Sequence, residues 1–154
     1  MPAPGKPRPL ATADLDRVAQ IERATFPDPW SRRSFAEAMA RPEVHALALD
    51  DETGRLVGYA LSVRAADEGE ILNIAVDPPA RAKGAGRALL GALLDHLRST
   101  GTAQVFLEVR PSNEAAIALY RRAGFRPLGV RKGYYGSPGE DALTMVLELA
   151  SPNA

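Results

Sequence analysis

The stretch Asn73-Ile74-Ala75-Val76-Asp77-Pro78-Pro79-Ala80-Arg81-Ala82-Lys83-Gly84-Ala85-Gly86-Arg87-Ala88-Leu89-Leu90 decides the fold by its change of texture. Ile71 to Val76 reads as a strand, and Asp77-Pro78-Pro79 ends it. A basic, glycine-bearing loop runs from Arg81 to Arg87. From Gly86 to Ser99, Leu89, Leu93 and Leu97 recur at helical spacing, with Leu90 and Leu94 beside them. That is a helix with a wide apolar face, and Gly101 is placed to stop it.

The flanking sequence extends this unit in both directions. Thr12 can cap a helix whose apolar positions Leu15, Val18, Ala19 and Ile21 continue to about Thr25. Phe26-Pro27-Asp28-Pro29 breaks it, and Ser31 caps a second, short helix carrying Phe35 and Met39. Val44 to Leu49 and Leu56 to Val63 form a hairpin around the turn Asp50-Asp51-Glu52-Thr53-Gly54. Val105 to Val109 is a further strand, and Ser112 can start a helix ending at Ala123, before Gly124. Strands near Gly129 to Tyr135 and Ala142 to Leu149 close the chain. Strands and helices alternating in this way indicate a mixed sheet covered by helices, an α/β or α+β fold.

Composition narrows the function classes. The chain has 154 residues with 19 basic and 19 acidic side chains, a net charge of zero with both histidines neutral. That length favours one domain, able to bury roughly 70% of its unfolded surface. The organisation expected is a flexible Pro-rich lead over residues 1–7, one domain over 8–149 and a short tail over 150–154. Charge balance argues against a nucleic-acid partner held by a basic face. The start of the chain lacks the apolar core of a secretory signal, and no apolar run is long enough to span a membrane. A cytoplasmic protein with no membrane partner is the expectation. There is no cysteine. Disulfides, thiolate metal sites and a cysteine nucleophile are therefore out. His45 and His96 have no partner at metal-ligand spacing, so no metal is expected.

Three features bear chemistry. Glycines let a backbone approach a ligand closely, and a helix start offers free N–H groups with a positive dipole end, so the loop suits a phosphate or pyrophosphate. Arg81, Lys83 and Arg87 add charge there. The loop is not a Gly-Lys-Ser/Thr phosphate loop, because no such triplet follows. A dinucleotide fingerprint needs a third glycine where Leu89 stands, although Glu108 lies at a plausible distance for a ribose-binding acid. Glu108 interrupts the apolar run Val105-Phe106-Leu107-Glu108-Val109, so it either faces water or is held in a site. Asn113 and Tyr120 lie two helical turns apart on one face; a cap and a core aromatic are their ordinary roles.

Taken together, Asn73-Ile74-Ala75-Val76-Asp77-Pro78 with Arg81-x-x-Gly84-x-Gly86-Arg87-Ala88-Leu89-Leu90 resembles the GNAT family of N-acetyltransferases. The match continues through Leu107-Glu108-Val109-Arg110, Ser112-Asn113, Ala115-Ala116-Ile117, Leu119-Tyr120 and Gly124-Phe125. Ile21-Glu22, Phe26, Pro29-Trp30-Ser31, Arg131-Lys132-x-Tyr134-Tyr135 and Gly139-Glu140-Asp141-Ala142 are similar to its RimI-like branch, the ribosomal-protein-alanine N-acetyltransferases. The resemblance implies an α/β (α+β) GNAT-like fold: a mixed, mostly antiparallel sheet of about seven strands, flanked by about four helices. It implies acetyl-CoA as cosubstrate and a protein N-terminus, that of a ribosomal protein, as acceptor. Ile74, Ala75 and Val76 would meet the pantetheine arm and thioester, and Arg81, Ala82, Lys83, Gly84, Ala85, Gly86 and Arg87 the pyrophosphate. Asn113 would contact the cofactor, Glu108 would be the general base and Tyr120 the general acid. A small-molecule amine or antibiotic as acceptor, or a non-catalytic acetyl-CoA-binding module, are the alternatives.

Overall fold

The computed structural model describes residues 5–81, 83–132 and 141–149. Ala82 of the glycine loop, Tyr134, Tyr135, Gly139 and Glu140, and both ends (residues 1–4 and 150–154) lie outside the described residues. Chain order is β1 (Arg8–Pro9), α1 (Leu15–Thr25), α2 (Arg32–Met39), β2 (Val44–Asp50), β3 (Leu56–Ala65) and β4 (Glu68–Val76). There follow α3 (Ala85–Ser99), β5 (Gln104–Val109), α4 (Glu114–Arg122), β6 (Arg126–Arg131) and β7 (Ala142–Glu148). The strands form one sheet in the order β1-β2-β3-β4-β5-β7-β6. Every pairing is antiparallel except β4 with β5. The expected mixed, mostly antiparallel sheet with helices on it is the fold.

Strand alternation sorts the apolar residues to two faces. Leu47 and Leu49 of β2, Ala60 of β3 and Ile71 of β4 meet the leucines of α3, together with Val105, Leu107 and Val109 of β5. Ala48, Tyr59, Leu61 and Ala75 meet Leu15, Val18 and Ile21 of α1 and Phe35 of α2 on the other side. Leu89, Leu90, Leu93, Leu94 and Leu97 are all buried. Each such side chain contributes about 1.5–3 kcal/mol of transfer free energy, so this one helix anchors the larger core. Gly101, at φ 82, ends it in the left-handed region that glycine adopts without strain.

The ends of two other helices differ from expectation. Thr12 is not a cap; the chain enters α1 through a 3-10 turn, Thr12–Asp14. There the Asp14 carboxylate accepts from the Ala11 N–H at 2.7 Å. Arg8 holds that carboxylate over the turn with contacts of 2.9 and 3.0 Å, and keeps it below the usual carboxylate range. Ser112 is likewise not the start of α4. The Asn113 N–H bonds back to Arg110, which puts Ser112 inside a turn and makes Asn113 the cap. Ser31 does cap α2, accepting from the Ser34 N–H at 3.0 Å. The sixth strand starts earlier than its β-rich letters suggest, because Gly124 (φ 105) turns the chain straight from α4 into β6.

On the α3 face, His45 of β2 and His96 stack with ring centroids 3.6 Å apart and planes within 7°. Burial first, and the facing His96 second, hold the His45 imidazole below its ordinary value of 6.5. Below that value the unfolded chain binds the proton more readily than the folded one, so stability falls as the pH drops through the window beneath it. Thermal denaturation between about pH 7.5 and about pH 5.5 should show Tm declining with acidification. His45→Gln should flatten that decline; an unchanged slope would show that the stacked pair does not contribute to it.

Candidate active site

Strands β4 and β5 run together only from Glu68↔Gln104 to Ile71↔Leu107. Both continue, β4 to Val76 and β5 to Val109, but no ladder joins these ends among the described residues. The cause lies in β4. Its register with β3 passes from Asn73↔Leu61 to Ile71↔Ser62, so Leu72 is an extra residue in a bulge. A bulge bends its strand and increases local twist. It also breaks the alternation: Ile71 and Ile74 both pack toward α3, while Leu72 packs toward α1 and the Asn73 side chain reaches α1. The strands diverge beyond it, and the gap opens into a cavity of about 130 Å³.

The divergent edge of β4 has a definite polarity. The Asp77 N–H donates to Val57 of β3 at 2.7 Å. Backbone groups alternate sides along a strand, so those of Ala75 also point to β3, and those of Ile74 and Val76 point away from it, toward the gap. Of the three residues expected to offer backbone groups, Ala75 is therefore committed to the sheet. The Val76 carbonyl accepts from the Arg81 Nε–H at 2.9 Å. Arg81 also donates to Thr25 at 3.4 Å, and its own N–H bonds to Pro78 at 3.2 Å. Its guanidinium thus braces the strand end rather than extending from the loop. Arg17 of α1 clamps the same end, reaching Asp77 at 2.8 Å and the Leu56 carbonyl at 3.0 Å.

The glycine loop leads into α3 through Gly84, whose φ of 84 suits a residue without Cβ. As the helix cap it has no side-chain oxygen to satisfy the first amides, and no side-chain cap bond is present. Among the described residues the earliest helical amide bond is Ala88 N–H to Gly84, leaving the N–H groups of Ala85, Gly86 and Arg87 directed out of the helix start. A Cβ on Gly86 would sit 3.3 Å from the Leu119 side chain, so the start of α3 lies close against α4. Lys83 and Arg87 are exposed beside it. An uncapped positive helix end flanked by basic side chains is a place for phosphate oxygens.

The cavity at the gap collects side chains from both faces of the sheet. Glu108 projects from β5 opposite the buried Leu107 and Val109, toward the side that carries α1. Its cross-strand neighbour Thr144 donates to Oε2 at 2.7 Å, and Arg131 donates to Oε1 at 3.2 Å. These contacts fix the carboxylate, whose side chain keeps 16% of its exposure. Nearby, Glu70 is pushed above the usual carboxylate range by partial burial, then by the Glu108 charge, with Arg131 opposing. Tyr120 comes from α4 on the other face, buried and edge-on to Phe125 at 5.7 Å. Glu108, Tyr120, Asn113 and Ile74 all line the one cavity. Asn113 does so while its Oδ1 accepts from the Ala116 N–H at 3.2 Å, so one end of its amide is engaged by the helix.

Two further elements were quoted in the sequence without a place at the site. Glu22 is only 1% exposed and lines the cavity from α1. It accepts from the Tyr59 hydroxyl at 2.7 Å, the Asn73 Nδ2–H at 2.9 Å and the Trp30 N–H at 2.9 Å. Burial first, then the Glu22 charge, push the Tyr59 phenol well above its ordinary value, so it remains a donor. Hydrogen bonds to a buried charge contribute about 1.5–3 kcal/mol each, and together they tie α1, the loop before α2 and the bulge. The signal was available: Leu15, Val18, Ala19 and Glu22 occupy one helical face, and a carboxylate at an apolar position calls for donors. The other element is the Asp28–Arg110 ion pair at 2.9 Å, which links the α1–α2 loop to the end of β5. Trp30, also lining the cavity, packs on Phe35 with centroids 5.1 Å apart.

Comparison with known proteins gives a consistent answer. The model of the acetyltransferase (GNAT) family matches residues 15–125. The ribosomal protein bS18-alanine N-acetyltransferase of Escherichia coli (strain K12) is 38% identical over 143 residues, 92% of this chain and 95% of that protein. N-alpha-acetyltransferase RimI of Mycobacterium tuberculosis is 40% identical over 150 residues, 94% of this chain and 92% of the relative. The crystal structure of the Escherichia coli ribosomal-protein-S18-alanine N-acetyltransferase superposes with a TM-score of 0.84 at 38% identity, covering 97% of each chain.

The open helix start is directly testable. Asp at position 84 tolerates a left-handed backbone better than most residues, and its carboxylate would compete for the free amides and repel a phosphate. Gly84→Asp should weaken CoA binding, by calorimetry, about tenfold or more while leaving the unliganded protein folded. Wild-type affinity in that variant would remove the α3 start from the ligand site.

Proposed function

The chain belongs to the GNAT acetyltransferase family, and on that basis we propose that it acetylates the N-terminal α-amine of a protein, most specifically the N-terminal alanine of a ribosomal protein. It is an acetyl-CoA-dependent N-acetyltransferase, and acetyl-CoA supplies the acyl group as a thioester. The observation that carries the reading is the convergence of Glu108 and Tyr120, from opposite faces of the sheet, on one cavity where β4 and β5 part. A ribosomal acceptor places the reaction in the cytoplasm.

The chemistry asks little of these residues when the acceptor is an α-amine. Only a neutral amine attacks a thioester. At pH 7 an α-amine with a pKa near 7.7–8.0 costs about 1–1.4 kcal/mol to deprotonate, whereas a lysine near 10.4 costs about 4.6 kcal/mol. One carboxylate suffices for the first. Glu108 takes the ammonium proton, directly or through a water, while Thr144 and Arg131 hold it in place. As the nitrogen bonds to the acyl carbon, the Ile74 and Val76 N–H groups on the open edge of β4 face the developing oxyanion. The C–S bond then breaks: Tyr120 gives its phenolic proton to the leaving thiolate, and the second proton of the former ammonium, lost from the nitrogen as the amide forms, restores the phenol through solvent water. The amides of Ala85, Gly86 and Arg87, with Lys83 and Arg87 beside them, hold the pyrophosphate. Because the chain has no cysteine, no thiol acyl-enzyme forms on it, and transfer is direct in a ternary complex.

A thiol-release assay separates the acceptors. Acetyl-CoA with an Ala-starting peptide should turn over, whereas an N-blocked lysine peptide and a polyamine should not; activity on either of these alone would overturn the acceptor assignment. Glu108→Gln and Tyr120→Phe should each lower kcat about 100-fold with the fold intact by circular dichroism. Near-normal turnover in both would sink the assigned roles.

A further inference from the structure

The buried Glu22 carboxylate does more than fill a polar position in the core. Its Oε1 accepts from both the Tyr59 hydroxyl (2.7 Å) and the Asn73 Nδ2–H (2.9 Å), and its Oε2 accepts from the Trp30 N–H (2.9 Å). A carboxylate only accepts, and a carboxamide has one donating end and one accepting end. Asn73 must therefore turn its NH2 group to Glu22, since the opposite flip would set oxygen against oxygen. That choice points Oδ1 away from Glu22. Asn73 lines the same cavity as Glu108 and Tyr120, and its Oδ1 accepts from no described residue. The Leu72 bulge is what brings the Asn73 side chain to the α1 side, at the point where β4 leaves β5.

We propose that Asn73, locked in one orientation by Glu22, presents Oδ1 as a hydrogen-bond acceptor to the attacking amine, making Asn73 an acceptor-binding residue and Glu22 its positioning residue. An α-ammonium carries three N–H bonds. One proton leaves to Glu108, and the lone pair it uncovers forms the bond to the acyl carbon. Of the two remaining N–H bonds one is lost to solvent as the amide forms, and an acceptor for the other fixes the rotation of the amine about its Cα–N bond, so that the lone pair faces the thioester. Glu108 removes the proton; Asn73 holds the nitrogen in place. This inference rests on acetyl transfer occurring in the β4–β5 gap.

The test is a double-mutant cycle on Asn73→Leu and Glu22→Gln, with an Ala-starting peptide as acceptor. Asn73→Leu should lower kcat/KM for the peptide about tenfold or more, with acetyl-CoA affinity, by calorimetry, within about twofold of wild type. Glu22→Gln should lower the same parameter with the same selectivity, and the double variant should be no worse than the poorer single one. Should Glu22→Gln not fold, Glu22→Asp enters the cycle in its place. Wild-type peptide efficiency in Asn73→Leu, a matching loss of acetyl-CoA affinity, or losses that multiply in the double variant would each overturn the proposal. Wild-type turnover on the peptide is read separately. Its absence would refute the acetyl-transfer reading, whereas an unaffected Asn73→Leu refutes only this one.

Discussion

The structure depends on one interruption: parallel pairing between β4 and β5 stops at Ile71↔Leu107 although both strands continue. A continuous sheet would satisfy the facing backbone groups with one another and leave no room for a ligand. The Leu72 bulge ends that pairing without loosening β4, because β4 stays laddered to β3 up to Val76↔Gly58. Arg17, Asp77 and Arg81 then hold the strand end from the α1 side. The result is a braced strand edge on which the Val76 carbonyl is taken by Arg81 while the Ile74 and Val76 N–H groups face the gap with no partner among the described residues.

Around the gap the charges divide by task. The α3 start offers backbone N–H groups, a positive dipole end and exposed basic side chains to phosphates. The other mouth carries the carboxylates Glu108 and Glu22, with Asp28 tied to Arg110. A net charge of zero therefore conceals a cationic helix start on one side of the gap and, on the other, carboxylates that are each held by named donors. The two ends are coupled mechanically. Glu22 joins α1, the α1–α2 loop and the bulge through three hydrogen bonds, so the element that opens the gap also shapes the acceptor side.

Much of this was legible in the letters, and what was not has physical reasons. The leucine spacing of α3 and the glycines at 84, 101 and 124 encode local conformation, and they read correctly as a helix start and helix ends. The helix boundaries near Thr12 and Ser112 read wrongly because a carboxylate held by Arg8 in one case, and a turn closing on Arg110 in the other, displaced the expected caps. Glu108 was visible as a lone carboxylate in an apolar strand, but its fixing partners were not: Thr144 lies 36 residues away and comes alongside only through the β5–β7 register. The Asp28–Arg110 pair spans 82 residues. The bulge left a trace, since Ile71-Leu72-Asn73-Ile74 breaks strict alternation, but where two strands part company depends on pairing that no single segment specifies.

With the proposed function, the open edge of β4 and the open start of α3 are one binding surface for acetyl-CoA. Residue-resolved amide hydrogen exchange by NMR, with and without acetyl-CoA, examines that surface directly. Exchange should slow at the amides of Ile74, Val76, Ala85, Gly86 and Arg87 and change little at Ala75 and Asp77, whose N–H groups already point to β3. Protection confined to other parts of the surface, with those five amides unaffected, would contradict it.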